Sequence, residues 1–116
     1  MTIDEVAATV SGEILYKTDA PGRPVGHVVV SDLMSDVLLV DSDDILLITS
    51  LASDQVLRTA QIVGAMGVVV ANGKPLPSTM PEVARSLGIP LATSPLPKYE
   101  ICTLLHEARK ADKTPA

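Results

Sequence analysis

Two short stretches and one isolated serine hold most of the side chains that could act together on a small molecule. The stretch "SLASDQ" follows an apolar run and supplies the hydroxyls of Ser50 and Ser53, the carboxylate of Asp54 and the amide of Gln55. The stretch "NGKPLPS" follows a second apolar run and supplies Asn72, Gly73 and Lys74, and Ser94 follows a third. Hydroxyls, amides and one lysine suit a small anionic ligand. A helix opening at Ser53 would turn its free backbone amides toward such an anion, and Gly73 would let the backbone approach closely or adopt a left-handed conformation. The same residues admit other readings. Asp54 could serve as a general acid or base beside a charge-neutralising Lys74. A carboxylate at a helix start is also a helix-stabilising group, and Asn-Gly is good turn chemistry in any protein.

Other chemistries lack their residues. There is no phosphate loop ending in Gly-Lys-Ser/Thr and no Gly-x-Gly-x-x-Gly after a strand; Gly64 and Gly67 lack the third glycine and flank the wrong end of a helix. No Gly-x-Ser-x-Gly elbow occurs. Cys102 and His106 stand one helical turn apart, but two ligands do not make a metal site. The run Asp41-Ser42-Asp43-Asp44 begins like a calcium loop and then fails, because Ile45 and Leu46 fall where an oxygen ligand and a glycine are needed. His27 opens a strand without an evident partner. No catalytic residue, metal or cofactor is expected.

The elements that must position these residues follow from periodicity. Thr2 with Glu5 forms a capping box for a first helix that Gly12 can end. "EILY" reads as a strand and "KTDAPGRP" as turn material. "GHVVV", "ILLIT" and "GVVVA" are continuous apolar runs, the pattern of parallel strands covered on both faces; "SDLMSDVLLV" is a polar turn leading to a short helical or irregular piece. Ser53 caps a helix reaching about Gly64, with Val56, Leu57, Ala60, Ile62 and Val63 inward. Thr79 and Glu82 suggest another capping box for a helix ending near Gly88. "IPLAT" is a last strand, and "SPLP" leads to a helix from Lys98 to Lys110 with Ile101, Cys102, Leu104, Leu105 and Ala108 inward. Strands alternating with helices predict a single three-layer α/β domain over residues 1–110, with a mainly parallel sheet of four or five strands flanked by helices and a disordered tail at 111–116. Ligands of such sheets sit beyond the carboxyl ends of the strands, where the loops carrying Ser50 to Gln55, Asn72 to Lys74 and Ser94 should gather.

Composition narrows the class. A chain of 116 residues with 47% hydrophobic and 20% charged residues is of single-domain size and has the profile of a folded globule. Phe and Trp are absent, so the core must be aliphatic. The net charge of −5 and the two tyrosines argue against nucleic acid, which needs positive charge and stacking surfaces. One cysteine, no signal-like start and no apolar run of membrane-spanning length predict a cytoplasmic protein that does not enter a membrane.

The order of motifs, from "TIDEVAATVSGEIL" through "DDILLITSLASDQVLRTAQIVGAMGVVVANGKPLP" to "VARSLGIPLATS", resembles the DRTGG domain, an α/β module similar to the N-terminal domain of HPr kinase/phosphorylase. That family has a strand ending in a Gly-Asp-Arg turn, a helix, a strand, and then Thr-Gly-Gly. Asp54 and Gly73 match this pattern, while Gln55 stands for the arginine and Ala71 and Asn72 for the threonine and first glycine. An anion-holding charge is therefore missing, and Lys74 could replace it only by turning inward. The resemblance implies a regulatory or assembly module rather than an enzyme. It implies a homodimer, a small anionic or nucleotide-like ligand, and a partner enzyme of redox or kinase type. Free-standing relatives of this family occur in anaerobic bacteria beside iron-hydrogenase genes. A small enzyme acting on a phosphorylated compound and a ligand-free scaffold are the alternatives.

Overall fold

The two most apolar runs sit at the centre of the molecule. In the computed structural model, which describes residues 1–18 and 22–112, the elements are α1 (Ile3–Thr9), β1 (Glu13–Tyr16), β2 (His27–Val30), α2 (Met34–Val37), β3 (Ile45–Thr49), α3 (Asp54–Ile62), β4 (Gly67–Val70), α4 (Thr79–Leu87), β5 (Leu91–Thr93) and α5 (Lys98–Asp112). They build one five-stranded sheet in the order β1-β5-β4-β3-β2. Strands β2 to β5 are parallel to one another, while β1 pairs antiparallel with β5.

Every residue of β3 and β4 is buried. Successive side chains point to opposite faces, so each strand feeds two cores. Ile45, Leu47, Val68 and Val70 join Val56, Leu57, Met80 and Ala84 beneath α2, α3 and α4. Leu46, Ile48, Val69 and Ala71 join Val6, Val10, Ile101 and Leu105 beneath α1 and α5. The result is the expected three-layer arrangement. Strands β2 to β5 follow one another across the sheet without reversal. Their connecting helices α2, α3 and α4 consequently lie on one face, and α1 and α5 cover the other.

Local signals act much as expected at several ends. Thr2 and Glu5 close a reciprocal cap on α1, Ser53 accepts from the Gln55 amide at the start of α3, and Gly88 ends α4 with φ of 70°. Other expectations need correction. Thr79 and Glu82 form no capping box: α4 begins at Thr79 itself, and Ser78 makes no side-chain cap. Thr79 is instead drawn to α3, where its hydroxyl donates to Asp54 at 3.1 Å. Ile62 is 71% exposed, because α3 ends there and its last turn leaves the core; Thr59 takes the buried place. Leu104, expected inward on α5, is exposed because Ile101 and Leu105 already fill the seam against the sheet. Residues 111 and 112 continue α5 rather than starting a tail. Part of the "KTDAPGRP" turn and residues 113–116 lie outside the described residues.

Gly12 does not take the left-handed position after α1; Ser11 does, with φ of 56°. Gly12 serves a close approach instead, for a Cβ there would lie 2.7 Å from the Thr93 carbonyl oxygen, where the chain enters β1 beside β5. Backbone cannot yield as a flexible side chain would. Gly12→Ala should therefore lower unfolding stability by about 1–3 kcal/mol, read from urea unfolding midpoints, whereas Ser11→Gly should change it far less because that site tolerates glycine.

Candidate functional site

The parallel register of β3 and β4 pairs Thr49 with Val70. It brings residues 50–55 and 71–78 to the same rim, beyond the carboxyl ends of the strands. Two contacts at their borders tie these segments together: the Ala71 amide donates to the Thr49 carbonyl at 2.8 Å, and the Thr79 hydroxyl reaches Asp54. The β5–α5 loop completes the rim. There the Asn72 amide donates to the Leu96 carbonyl and the Gly73 amide to the Ser94 carbonyl, both at 2.9 Å. Asn72 and Gly73 have φ of 70° and 61°, left-handed conformations that asparagine and glycine tolerate best. The Asn-Gly pair is thus a strand-ending turn whose amides are held by the neighbouring loop.

The strongest cluster on this rim centres on Asp32, in the loop after β2, which sequence reasoning missed along with Lys98. The Asp32 carboxylate accepts from the Thr49 hydroxyl at 3.0 Å, the Ser50 amide at 2.7 Å and the Ser50 hydroxyl at 2.5 Å. It also pairs with the Lys98 ammonium at 2.7 Å. Burial alone would raise its pKa. The Lys98 charge, the Ser50 amide and the Ser50 and Thr49 hydroxyls together outweigh burial and hold the carboxyl well below the usual carboxylate range. One carboxylate therefore ties the end of β2, the end of β3 and the first residue of α5 together.

The sequence-predicted residues divide into committed and open groups. Ser50 serves Asp32. Ser53 caps α3. Asp54, the first residue of that helix, favours its positive end and holds Thr79. Ser94 is buried, its hydroxyl donating to the Val10 carbonyl at 2.7 Å and accepting from the Leu96 amide at 3.1 Å. Exposed are Gln55, Asn72, Gly73 and Lys74, and the Lys74 side chain makes no ion pair among the described residues. In the DRTGG pattern the charged turn directly ends the strand. Here that place belongs to Ser50-Leu51-Ala52, since β3 stops at Thr49 and Asp54 and Gln55 are already helical. The rim therefore carries no arginine-like charge at the turn.

Crevices at the carboxyl ends of parallel strands open where the strand order reverses, and β2 to β5 do not reverse. Two clefts lie elsewhere. One of about 670 Å³ is at the opposite rim, between Ile3, Lys17, Arg23, Gly64, Met66 and Gly88. Its cations are already engaged: Lys17 pairs with Asp4 at 2.9 Å, and Arg23 pairs with Asp44 and donates to the Gly64 carbonyl. The other, of about 320 Å³, runs between β2 and α5 past Cys102 and His106. Burial pushes the Cys102 thiol up, with Lys98 only partly opposing it, so this cysteine is not an activated nucleophile. His27 contacts the Asp43 carbonyl at 3.1 Å. Among the described residues no three His, Cys, Asp or Glu side chains are gathered around a common point, and no helix is long and apolar enough to cross a membrane.

No protein-family model and no curated protein matches the chain. Among solved structures it is similar to the CBS and DRTGG domains of the regulatory region of Clostridium perfringens pyrophosphatase, crystallised with the activator diadenosine tetraphosphate. The TM-score is 0.71 at 17% identity, covering 90% of this chain and 45% of that one. The two share a fold. The present chain thus spans a little under half the length of that regulatory region.

Two predictions follow from the rim's contacts. Asp32→Asn should cost about 1–2 kcal/mol at pH 7, since the pair is about one-third exposed and partly screened by solvent. A carboxyl with a lowered folded pKa stabilises fully above its unfolded pKa, and that contribution is lost as pH falls through the folded value. The gap between wild type and variant should therefore narrow progressively below about pH 4, checked by urea midpoints at several pH values. Asp54→Ala should cost about 1 kcal/mol in the same measurement, through the lost helix-start charge and Thr79 contact.

Proposed function

We propose that this chain is a non-catalytic regulatory or assembly module of the DRTGG type, binding a small anionic or nucleotide-like ligand at the carboxyl rim of its parallel strands. The supporting observation is the fold it shares, over 90% of its length, with a regulatory region that binds a dinucleotide activator. On that rim Lys74, Gln55 and the Asn72-Gly73 turn are the groups open to a ligand, with the α3 start beside them. Likeness to the N-terminal domain of HPr kinase/phosphorylase, a dimeric state and a partner enzyme of redox or kinase type, such as a hydrogenase, belong to the same reading.

The rim's chemistry favours regulation over turnover. A general acid or base needs a carboxylate free to exchange a proton near neutral pH. Asp32 is held ionised by its partners, and Asp54 is engaged with Thr79. Neither is paired with an activated nucleophile.

A thermal-shift series with diadenosine tetraphosphate, ATP, AMP and acetyl phosphate tests the proposal. A ligand present at ten times its dissociation constant stabilises the folded state by about 1.4 kcal/mol, which for a domain of this size raises Tm by several degrees. Lys74→Ala should reduce that rise, and the chain should consume none of the four compounds. No rise with any of them contradicts the ligand and leaves a scaffold; turnover contradicts the regulatory reading.

A further inference from the structure

The two borders of the sheet are built differently. Strand β1 is guarded: its register with β5 is broken between Ile14 and Tyr16, it begins with exposed Glu13, and Arg85 lies over the Tyr16 ring at 5.4 Å. Bulges and charges of this kind keep an edge from pairing with another chain. Strand β2 has none of them. Its register with β3 is unbroken from His27 to Val30, and it contains no proline, lysine or carboxylate. At its last residue and just after it, Val30 is 43% exposed, Leu33 57%, Leu38 47% and Leu39 82%.

The direction of its hydrogen bonds shows what this border offers. The amides of His27 and Ser31 donate inward, to the Asp44 carbonyl at 3.3 Å and the Ile48 carbonyl at 3.1 Å. By the two-residue alternation of a strand, Val28 and Val30 turn their N–H and C=O groups outward. Charges of both signs flank the strand, with exposed Asp43 beside its amino end. Arg23–Asp44 and Lys98–Asp32 neutralise each other in pairs. At the amino end, Arg109 donates to the Gly26 carbonyl at 2.7 Å, and it lines the groove facing β2 with Lys110 and His106. The carboxyl end leads to exposed Asp36 on α2.

We propose that β2 pairs antiparallel with β2 of a second copy about a two-fold axis at Val29, joining two five-stranded sheets into one of ten strands. This inference rests on the dimeric part of the reading above and names its surface. Val28 of each copy then exchanges both backbone hydrogen bonds with Val30 of the other, and no like charges stand opposite one another within the strands. The antiparallel sense sets Arg109 at the amino end of each strand toward Asp36 beyond the carboxyl end of its mate. The same axis sets the two α5–β2 grooves side by side and brings exposed Val30 and Leu33 toward the seam.

Sedimentation equilibrium of the full chain, with amide hydrogen exchange, tests this directly. The wild type should sediment as a dimer, with Val28 and Val30 amides protected more strongly as concentration rises. Val30→Lys puts a charge at the seam, and Val30→Pro removes an outward amide that β3 does not use. Each should weaken dimerisation by more than about tenfold while far-UV circular dichroism stays unchanged; Val30→Thr should leave it intact. A dimer that persists in both variants, with the wild type's Val28 and Val30 amides exchanging freely, overturns this interface but keeps the dimeric reading. A wild type that stays monomeric overturns both, without bearing on the ligand series.

Discussion

The burial of β3 and β4 on both faces is the constraint on which the remaining structure depends. Nine buried strand residues, five in β3 and four in β4, require cover above and below. Helices α1 and α5 supply it on one side and α2, α3 and α4 on the other. Once these two strands lie parallel, the loops that leave them must emerge at one end. Everything at the carboxyl rim, from the Thr49–Ala71 backbone contact to the Asp54–Thr79 tie, follows from that placement.

The Asp32 cluster shows how such a rim is held. Two strand ends and the start of α5 converge there. A single carboxylate accepting from Ser50 and Thr49 and pairing with Lys98 binds them together. The arrangement favours positioning over catalysis, because a carboxyl so stabilised in its charged form is a poor proton carrier near neutrality. At the opposite rim the larger cleft has its cations engaged by Asp4, Asp44 and the Gly64 carbonyl. An incoming anion would have to displace them, whereas Lys74 requires no such displacement.

Much of the fold was legible because continuous apolar runs and capping residues act locally. "ILLIT" and "GVVV" become the buried strands, Thr2 with Glu5 caps α1, and Gly88 ends α4. What could not be read locally depends on distant partners. The antiparallel direction of β1 leaves no trace in its side-chain period. Thr79 has the spacing of a cap, yet Asp54, 25 residues away, claims its hydroxyl. Asp32 and Lys98 are 66 residues apart. The parallel register of β2 with β3 sets the loop after β2 at the same rim and so Asp32 beside Ser50. Among the candidate residues, the serine hydroxyls are committed to partners that the sequence does not reveal, Ser50 to Asp32 and Ser94 to the Val10 carbonyl 84 residues away.

The central claim is that the molecule takes its ligand at the carboxyl rim. Titrating isotopically labelled protein with diadenosine tetraphosphate and following backbone amide chemical shifts tests it most directly. The account predicts the largest changes at Gln55, Asn72, Gly73 and Lys74. Changes confined to Lys17, Arg23, Gly64 and Gly88 would place the ligand at the opposite rim and contradict it.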